Sequence, residues 1–210
     1  MTDRPDTCCD ADLLRADLGD AVLDLAVAGF AALWEGRSVP VHELLHDRAD
    51  AAMEIIETQA AKGRLEIDEQ RRLVGVHGLT LWTTPHRFEH GGRAHHTWCA
   101  FDSIGIPAAL DLDATAHTDC PACHRRLAVE IRGGEPLGGD LVLWLPAAPG
   151  NHLMDEFCAS ADLYCSPDHL RQRIDLDRAA GTVSTLADAA ALGRDVWADV
   201  ANLEVGGHAV

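Results

Sequence analysis

The first third of the chain alternates apolar and polar positions with a helical period. Leu13, Leu14, Leu18, Val22, Leu25, Phe30 and Leu33 recur every three or four residues, which predicts a helix over 11–36 that Gly36 ends. Ser38-Val39-Pro40 reads as the start of a short helix through Leu44, Leu45 and His46. A further helix is expected from about Asp50 to Ala61, with Met53, Ile55, Ile56 and Ala60 on its apolar side and Gly63 closing it. Leu65-Glu66-Ile67 and Arg72 to Val76 then flank a polar turn, a β-hairpin pattern.

From Leu79 the period shortens. Strands are expected at Leu79–Trp82, at His86–His90 and, through the Gly91-Gly92 turn, into His95 and His96. An apolar run, Ile104 to Leu110, follows Trp98-Cys99-Ala100-Phe101-Asp102. Further strands are predicted at 112–117, 127–131 and 141–145. Ser166-Pro167 opens a helix over Leu170 to Leu176 that Gly181 ends, and a last helix covers roughly 185–203, with Leu186, Ala190, Val196, Trp197 and Val200 inward. The class is therefore α+β. A three-helix, winged-helix-like N-terminal domain over 1–78 precedes a mixed domain of short antiparallel strands and helices over 79–210.

Charge narrows the partners. Seventeen basic residues stand against 34 acidic ones, a net charge of −17. That balance argues against nucleic acid and against an anionic membrane surface. The helix expected at 50–61 carries Asp50, Glu54 and Glu57, with Lys62 just beyond it, an unsuitable face for reading DNA. No apolar run has membrane-spanning length, Met1 to Asp10 reads as a frayed polar terminus, and the expected compartment is the cytoplasm.

Seven cysteines are an odd number: Cys8, Cys9, Cys99, Cys120, Cys123, Cys158 and Cys165. In a cytoplasmic chain they read as packing, metal-binding or catalytic thiols rather than as a disulfide frame. Cys99 and Asp102 share one side of a first helical turn, where unpaired N–H groups favour a thiolate. Alone, that pair reads rather as a buried structural thiol and a first-turn carboxylate, since free Cys is among the most buried residue types. Cys120-Pro121-Ala122-Cys123 resembles half of a zinc knuckle, which His117 and His124 could complete as a structural zinc site. His95 and His96 point to opposite faces of a strand and make a poor chelate, so they read as solvated or hydrogen-bonded histidines.

Taken in order, these features resemble the alkylmercury lyase (organomercurial lyase) family. The resemblance rests on helices and a hairpin, Gly78-Leu79-Thr80-Leu81, Trp98-Cys99-Ala100-Phe101-Asp102, a cysteine turn at Cys120, then Phe157-Cys158 and two terminal helices. It implies that Cys99 and Cys158 bind mercury, that Asp102 is the catalytic carboxylate and that Cys120 is a buried structural cysteine. Two departures stand out: Ala159 follows Cys158 where a further Cys can occur, and Cys123 adds a second thiol to the Cys120 turn.

The chemistry of those residues agrees. Organic mercury is a soft acid, and thiolates are the matching ligands. Two thiolates put electron density on mercury and weaken its bond to carbon. The carbon leaves as a poor carbanion and must be protonated as the bond breaks. A carboxylate that takes a thiol proton and then gives it to carbon needs a raised pKa, which an apolar pocket supplies by desolvation. Trp98, Phe101 and Phe157 are candidate walls for that pocket. The expected products are a hydrocarbon and Hg(II) held by Cys99 and Cys158. No organic cofactor is expected; small cytosolic thiols act as co-reactants, and a mercuric reductase is a candidate acceptor. The rival reading is a soft-metal binding protein or sensor that uses the same thiols without lyase activity.

Overall fold

The computed structural model describes residues 20–44, 49–147 and 152–201. The chain folds around one long antiparallel sheet and one short one, with helices packed on them. Helix α1 spans Asp20–Trp34 and α2 spans Ala49–Ala61. Between them lie strand β1 (Val39–Pro40) and a single 3-10 turn (Val41–Glu43). The short helix expected from Ser38 is thus a strand and a turn, and Leu45 and His46 lie outside the described residues. The cause is a long-range pairing: β1 lies against β3, and the Arg72 guanidinium donates to Ser38 Oγ at 2.7 Å and to the Ser38 carbonyl at 2.6 Å. Leu13, Leu14 and Leu18 also lie outside the described residues, whereas Leu25, Phe30 and Leu33 are buried as expected.

Strands β2 (Leu65–Ile67) and β3 (Arg72–Val76) form the expected hairpin. A two-residue turn, His77-Gly78, then leads into β4 (Leu79–Thr80). Both turn residues have positive φ, 52° and 84°, the geometry of a type I′ hairpin turn. Strands β5 (Arg87–His90), β6 (Arg93–Thr97), β7 (Ala114–Asp119), β8 (Arg126–Arg132) and β9 (Glu135–Leu137) complete the sheet, in the order β1-β3-β4-β6-β5-β7-β8-β9 with β2 on β3. It runs without a break through the boundary expected at residue 78. The second sheet has the order β11-β10-β12, from β10 (Val142–Pro146), β11 (Leu163–Tyr164) and β12 (Gly181–Thr185). Strand β12 corrects the sequence reading of Gly181 as a helix end. Helix α4 (Pro167–Arg173) stops earlier, and Gly181 pairs with Pro146, its Cα facing the Trp144 ring too closely to admit a side chain.

Helix α3 (Ala100–Ala109) is the centre of the core. Every one of its residues is buried, including Asp102 and Ser103. It crosses α5 (Leu186–Val196) at Gly105 and Gly193, where a Cβ on Gly193 would stand 2.4 Å from the Gly105 Cα. Trp197 closes that crossing, fully buried, and its indole N–H donates to the His77 carbonyl at 2.8 Å. Backbones meet here with no room for a methyl, so two glycines a long way apart in sequence must coincide.

The paired histidines separate as their strand alternation requires, but not into solvent. His95 is buried, its ring stacked on Trp34 (4.3 Å between centroids) and on Phe88 (5.0 Å). His96 Nδ1 accepts from the Thr84 N–H at 3.2 Å. Burial, with the Arg93 and His90 charges adding to it, lowers the His95 pKa from 6.5 to about 4. His86 is lowered to about 4 by burial as well, against the opposing charge of Asp119.

Two outcomes are expected. Gly193→Ala forces the α3–α5 backbones apart and lowers unfolding free energy by about 1–3 kcal/mol, measurable by urea denaturation. An unfolded His binds its proton near pH 6.5, while folded His95 and His86 refuse it until about pH 4. Their stabilising contribution is therefore complete above pH 6.5 and is lost as pH falls toward 4. The urea midpoint should drop between pH 7 and pH 5, and His95→Phe should shrink that drop.

Candidate active site

Cys99 sits at the N-cap of α3, in extended conformation (φ −145°, ψ 175°). A Ser or Thr side chain is the usual acceptor at such a position. Here the thiol accepts from the Asp102 N–H, and the Asp102 carboxylate accepts the Cys99 N–H at 3.1 Å. This reciprocal capping box holds a sulfur and a carboxylate side by side at a helix N-terminus, which favours negative charge. Both residues are fully buried.

Cys158 arrives from the other side of the core. It ends a π-helical turn, Met154–Cys158, which is anchored at its start by the Leu153 N–H donating to the Lys62 carbonyl at 2.9 Å. Such wide turns displace one residue from the regular helical path, and here that residue belongs to the thiol segment. Two further contacts fix the segment on α3. The Ala100 N–H, a first-turn donor without a helical partner, donates to the Ala161 carbonyl at 3.1 Å. Phe157 meets Phe101 edge to face, with 6.1 Å between ring centroids.

The outcome is a compact trio. One ligand atom each from Cys99, Asp102 and Cys158 lie within 4.8 Å of one another. Mercury–sulfur bonds a little longer than the roughly 2.3 Å of zinc thiolates would put two sulfurs on one ion at most about 4.8 Å apart. One soft ion can therefore touch both thiolates. Cys158, at 6% exposure, is the most accessible member, while Cys99 and Asp102 are at 0%.

Gly78 supports this trio in a way its sequence did not disclose. Its φ of 84° suits glycine, and a Cβ there would stand 2.9 Å from the Asp102 Cγ. Its carbonyl also accepts the Trp98 N–H at 3.0 Å. The Trp98 indole N–H reaches the other way, to Glu66 Oε2 at 2.8 Å, so the β2–β3 hairpin is tied to the residue before Cys99.

A second group of soft ligands lies elsewhere. Cys120, Cys123, Cys165 and His169 also offer atoms within 4.8 Å of one another. The histidines expected to complete a site with Cys120 and Cys123 do not belong to that group. His117 faces Glu89, Nε2 to Oε1 3.5 Å, and His124 turns the chain at φ 56°. Cys165 and His169 stand in their place; the Cys165-x-x-x-His169 spacing after a Cys-x-x-Cys was the available signal. Burial pushes the Cys120 thiol up, but the backbone N–H groups of Cys165, Cys123 and Ala122 and the His169 ring outweigh it and hold it down at about 6. Cys165 is pushed up to about 11 by burial, by its hydrogen bonds to Cys120 and Cys123 and by their charge.

Known proteins resemble this chain in sequence and in fold. A family model described as alkylmercury lyase matches residues 79–198, more than half of the chain. Alkylmercury lyase of Streptomyces lividans is 32% identical over 167 residues, covering 77% of this chain and 76% of that protein. Alkylmercury lyase of Staphylococcus epidermidis is 31% identical over 174 residues, covering 79% and 78%. The crystal structure of the mercury-bound form of MerB2 shares the fold, with a TM-score of 0.79 at 20% identity, over 90% of this chain and 96% of that one. By family model, by relatives and by fold, the chain belongs to the alkylmercury lyases, enzymes of carbon–mercury bond cleavage.

Proposed function

We propose that Cys99, Cys158 and Asp102 carry the protonolysis of an organomercurial, R–Hg–X. The observation that supports it most is the convergence of two thiols and one carboxyl from separate parts of the chain on one ion-sized space. Cys158, the more exposed thiol, takes the mercury first and displaces X, its own proton leaving with X as HX. Cys99 coordinates next. Its proton passes to Asp102, which the capping box already holds beside the sulfur. With two thiolates on mercury the Hg–C bond weakens, and Asp102 delivers the proton to carbon as the bond breaks. R–H departs, and Hg(II) stays on the two sulfurs.

Burial does two things for this sequence of steps. It disfavours a charge left on the Asp102 carboxylate, against the Cys99 N–H and the helix N-terminus that favour one, which lets the carboxyl hold the proton it takes from Cys99. It also surrounds the organic group with Phe101, Phe157 and Trp98, all buried. Release of Hg(II) falls to small cytosolic thiols, with a mercuric reductase as the acceptor. Among the described residues no helix is long and apolar enough to cross a membrane, and the reading places the reaction in the cytoplasm. Residues 1–78 are assigned a winged-helix-like unit that covers the 79–210 catalytic unit, on the strength of the Glu66–Trp98 and Lys62–Leu153 hydrogen bonds. A buried carboxyl beside both thiols, besides capping the helix, supports turnover over metal binding alone.

Release of benzene from phenylmercury with excess thiol tests the assignment. Cys99→Ser and Cys158→Ser should each abolish it, and an unchanged rate in either would refute the clamp. Asp102→Ala should still bind the organomercurial but release hydrocarbon about 10²–10⁴-fold more slowly, the usual range for a lost general acid. Gly78→Ala should cost about 1–3 kcal/mol of stability from its positive φ and, by pressing on Asp102, lower kcat more than it raises KM.

A further inference from the structure

The four residues Cys120, Cys123, Cys165 and His169 lie outside the Cys99–Asp102–Cys158 trio and have no part in the lyase chemistry. They come from two segments. Cys120 follows β7 and Cys123 lies in the turn before β8; Cys165 follows β11 and His169 occupies the first turn of α4. We propose that these residues form a structural Cys3His site for one Zn(II) ion, stapling the end of the β7–β8 hairpin to the segment that follows Cys158.

The spacings fit the ion. Tetrahedral zinc with Zn–S of about 2.3 Å and Zn–N of about 2.0–2.1 Å sets ligand sulfurs roughly 3.8 Å apart and sulfur to nitrogen roughly 3.5 Å apart. Cys123 Sγ and Cys165 Sγ are 3.7 Å apart, and Cys120 Sγ is 3.8 Å from His169 Nδ1. Cys165 Sγ to His169 Nδ1, at 2.8 Å, must open by under an ångström, and the remaining pairs lie within 4.8 Å. The Cys123–Cys165 separation is far beyond the roughly 2.05 Å of a disulfide, so the thiols are separate ligands here.

The backbone is shaped for thiolates as well. The Cys120–Cys123 turn is closed by the His124 N–H donating to the Cys120 carbonyl at 2.8 Å, with His124 itself in the left-handed region. That turn aims the N–H groups of Ala122 and Cys123 at the Cys120 sulfur, and the Cys165 N–H joins them from the other segment. Such N–H···S bonds orient thiolate ligands and stabilise their charge. On the second segment, the Ser166 Oγ accepts the His169 N–H at 3.2 Å and fixes the turn that brings His169 back over Cys165. Four soft or borderline ligands with no open position are the donor set of a structural zinc rather than a catalytic one.

The consequence reaches the active site. Cys165 is seven residues from Cys158, and β11 between them packs against β7. A staple there fixes the far end of the segment whose near end is held by Ala100 and Phe101.

The test is metal content, which is independent of the lyase reading. Full-length protein, produced with added zinc and purified reduced and without chelator, should carry about one zinc per chain by elemental analysis. The Cys99→Ser/Cys158→Ser double variant should keep it, and Cys123→Ser/Cys165→Ser should lose it at least about tenfold. Because the latter could simply misfold, two further readouts apply. Cobalt exchanged into the wild-type chain should show the intense visible bands of a tetrahedral thiolate site, and His169→Cys should retain the metal with a shifted spectrum. Reduced wild-type protein with less than about a tenth of a zinc per chain would overturn the proposal, as would a Cys123–Cys165 disulfide in the isolated protein or zinc that survives loss of both cysteines.

Discussion

Burial of the N-terminus of helix α3 is the constraint on which the rest depends. A helix start brings four N–H groups that must be satisfied, and inside a core water is not there to do it. Here three such donors go to residues of the candidate site or to the segment that carries Cys158. The Asp102 N–H goes to the Cys99 sulfur, and the Ala100 N–H goes to the Ala161 carbonyl beyond Cys158. The Cys99 N–H, just ahead of the helix, goes to the Asp102 carboxylate. Satisfying the helix start and assembling two thiols with a carboxyl are one operation. The N-terminal hairpin contributes through the same region, by Glu66 on the Trp98 indole and by Gly78 against Asp102.

Much of this was legible from local pattern. The Gly91-Gly92 hairpin, the β2–β3 hairpin, the Ser166-Pro167 helix start and the inward face of the last helix all follow rules that act within a few residues. The Cys99–Asp102 pair was visible as the spacing of a first helical turn. What local pattern does not carry is pairing at a distance. Ser38 to Pro40 has a helix-start sequence, yet Arg72 and β3 hold it extended. Gly181 has a helix-stop residue type, yet β10 recruits it into a sheet.

The same limit applies to the soft-ligand groups. Cys120 and Cys123 advertise a metal turn, but nearness in sequence suggested His117 and His124 as partners. Alternation along β7 sends His117 toward Glu89, and the turn carries His124 away. The partners, Cys165 and His169, come from the segment that β11 lays beside β7. Gly78 is a related case. In sequence it is the first residue of the Gly78-Leu79-Thr80-Leu81 motif, whereas its place in a type I′ turn and its closeness to Asp102 follow from the three-dimensional fold.

Among the described residues, two soft-ligand groups thus differ in design: a buried trio that includes a carboxyl, and a four-ligand group of three thiols and a histidine. The central claim is that mercury is processed at the first. The most direct measurement is a crystal structure of the protein after turnover with one equivalent of phenylmercury. The account predicts mercury bonded to both Cys99 Sγ and Cys158 Sγ, at a little over about 2.3 Å, with the Asp102 carboxyl alongside. Mercury found instead on Cys120, Cys123, Cys165 and His169, with the Cys99–Cys158 space empty, would contradict it.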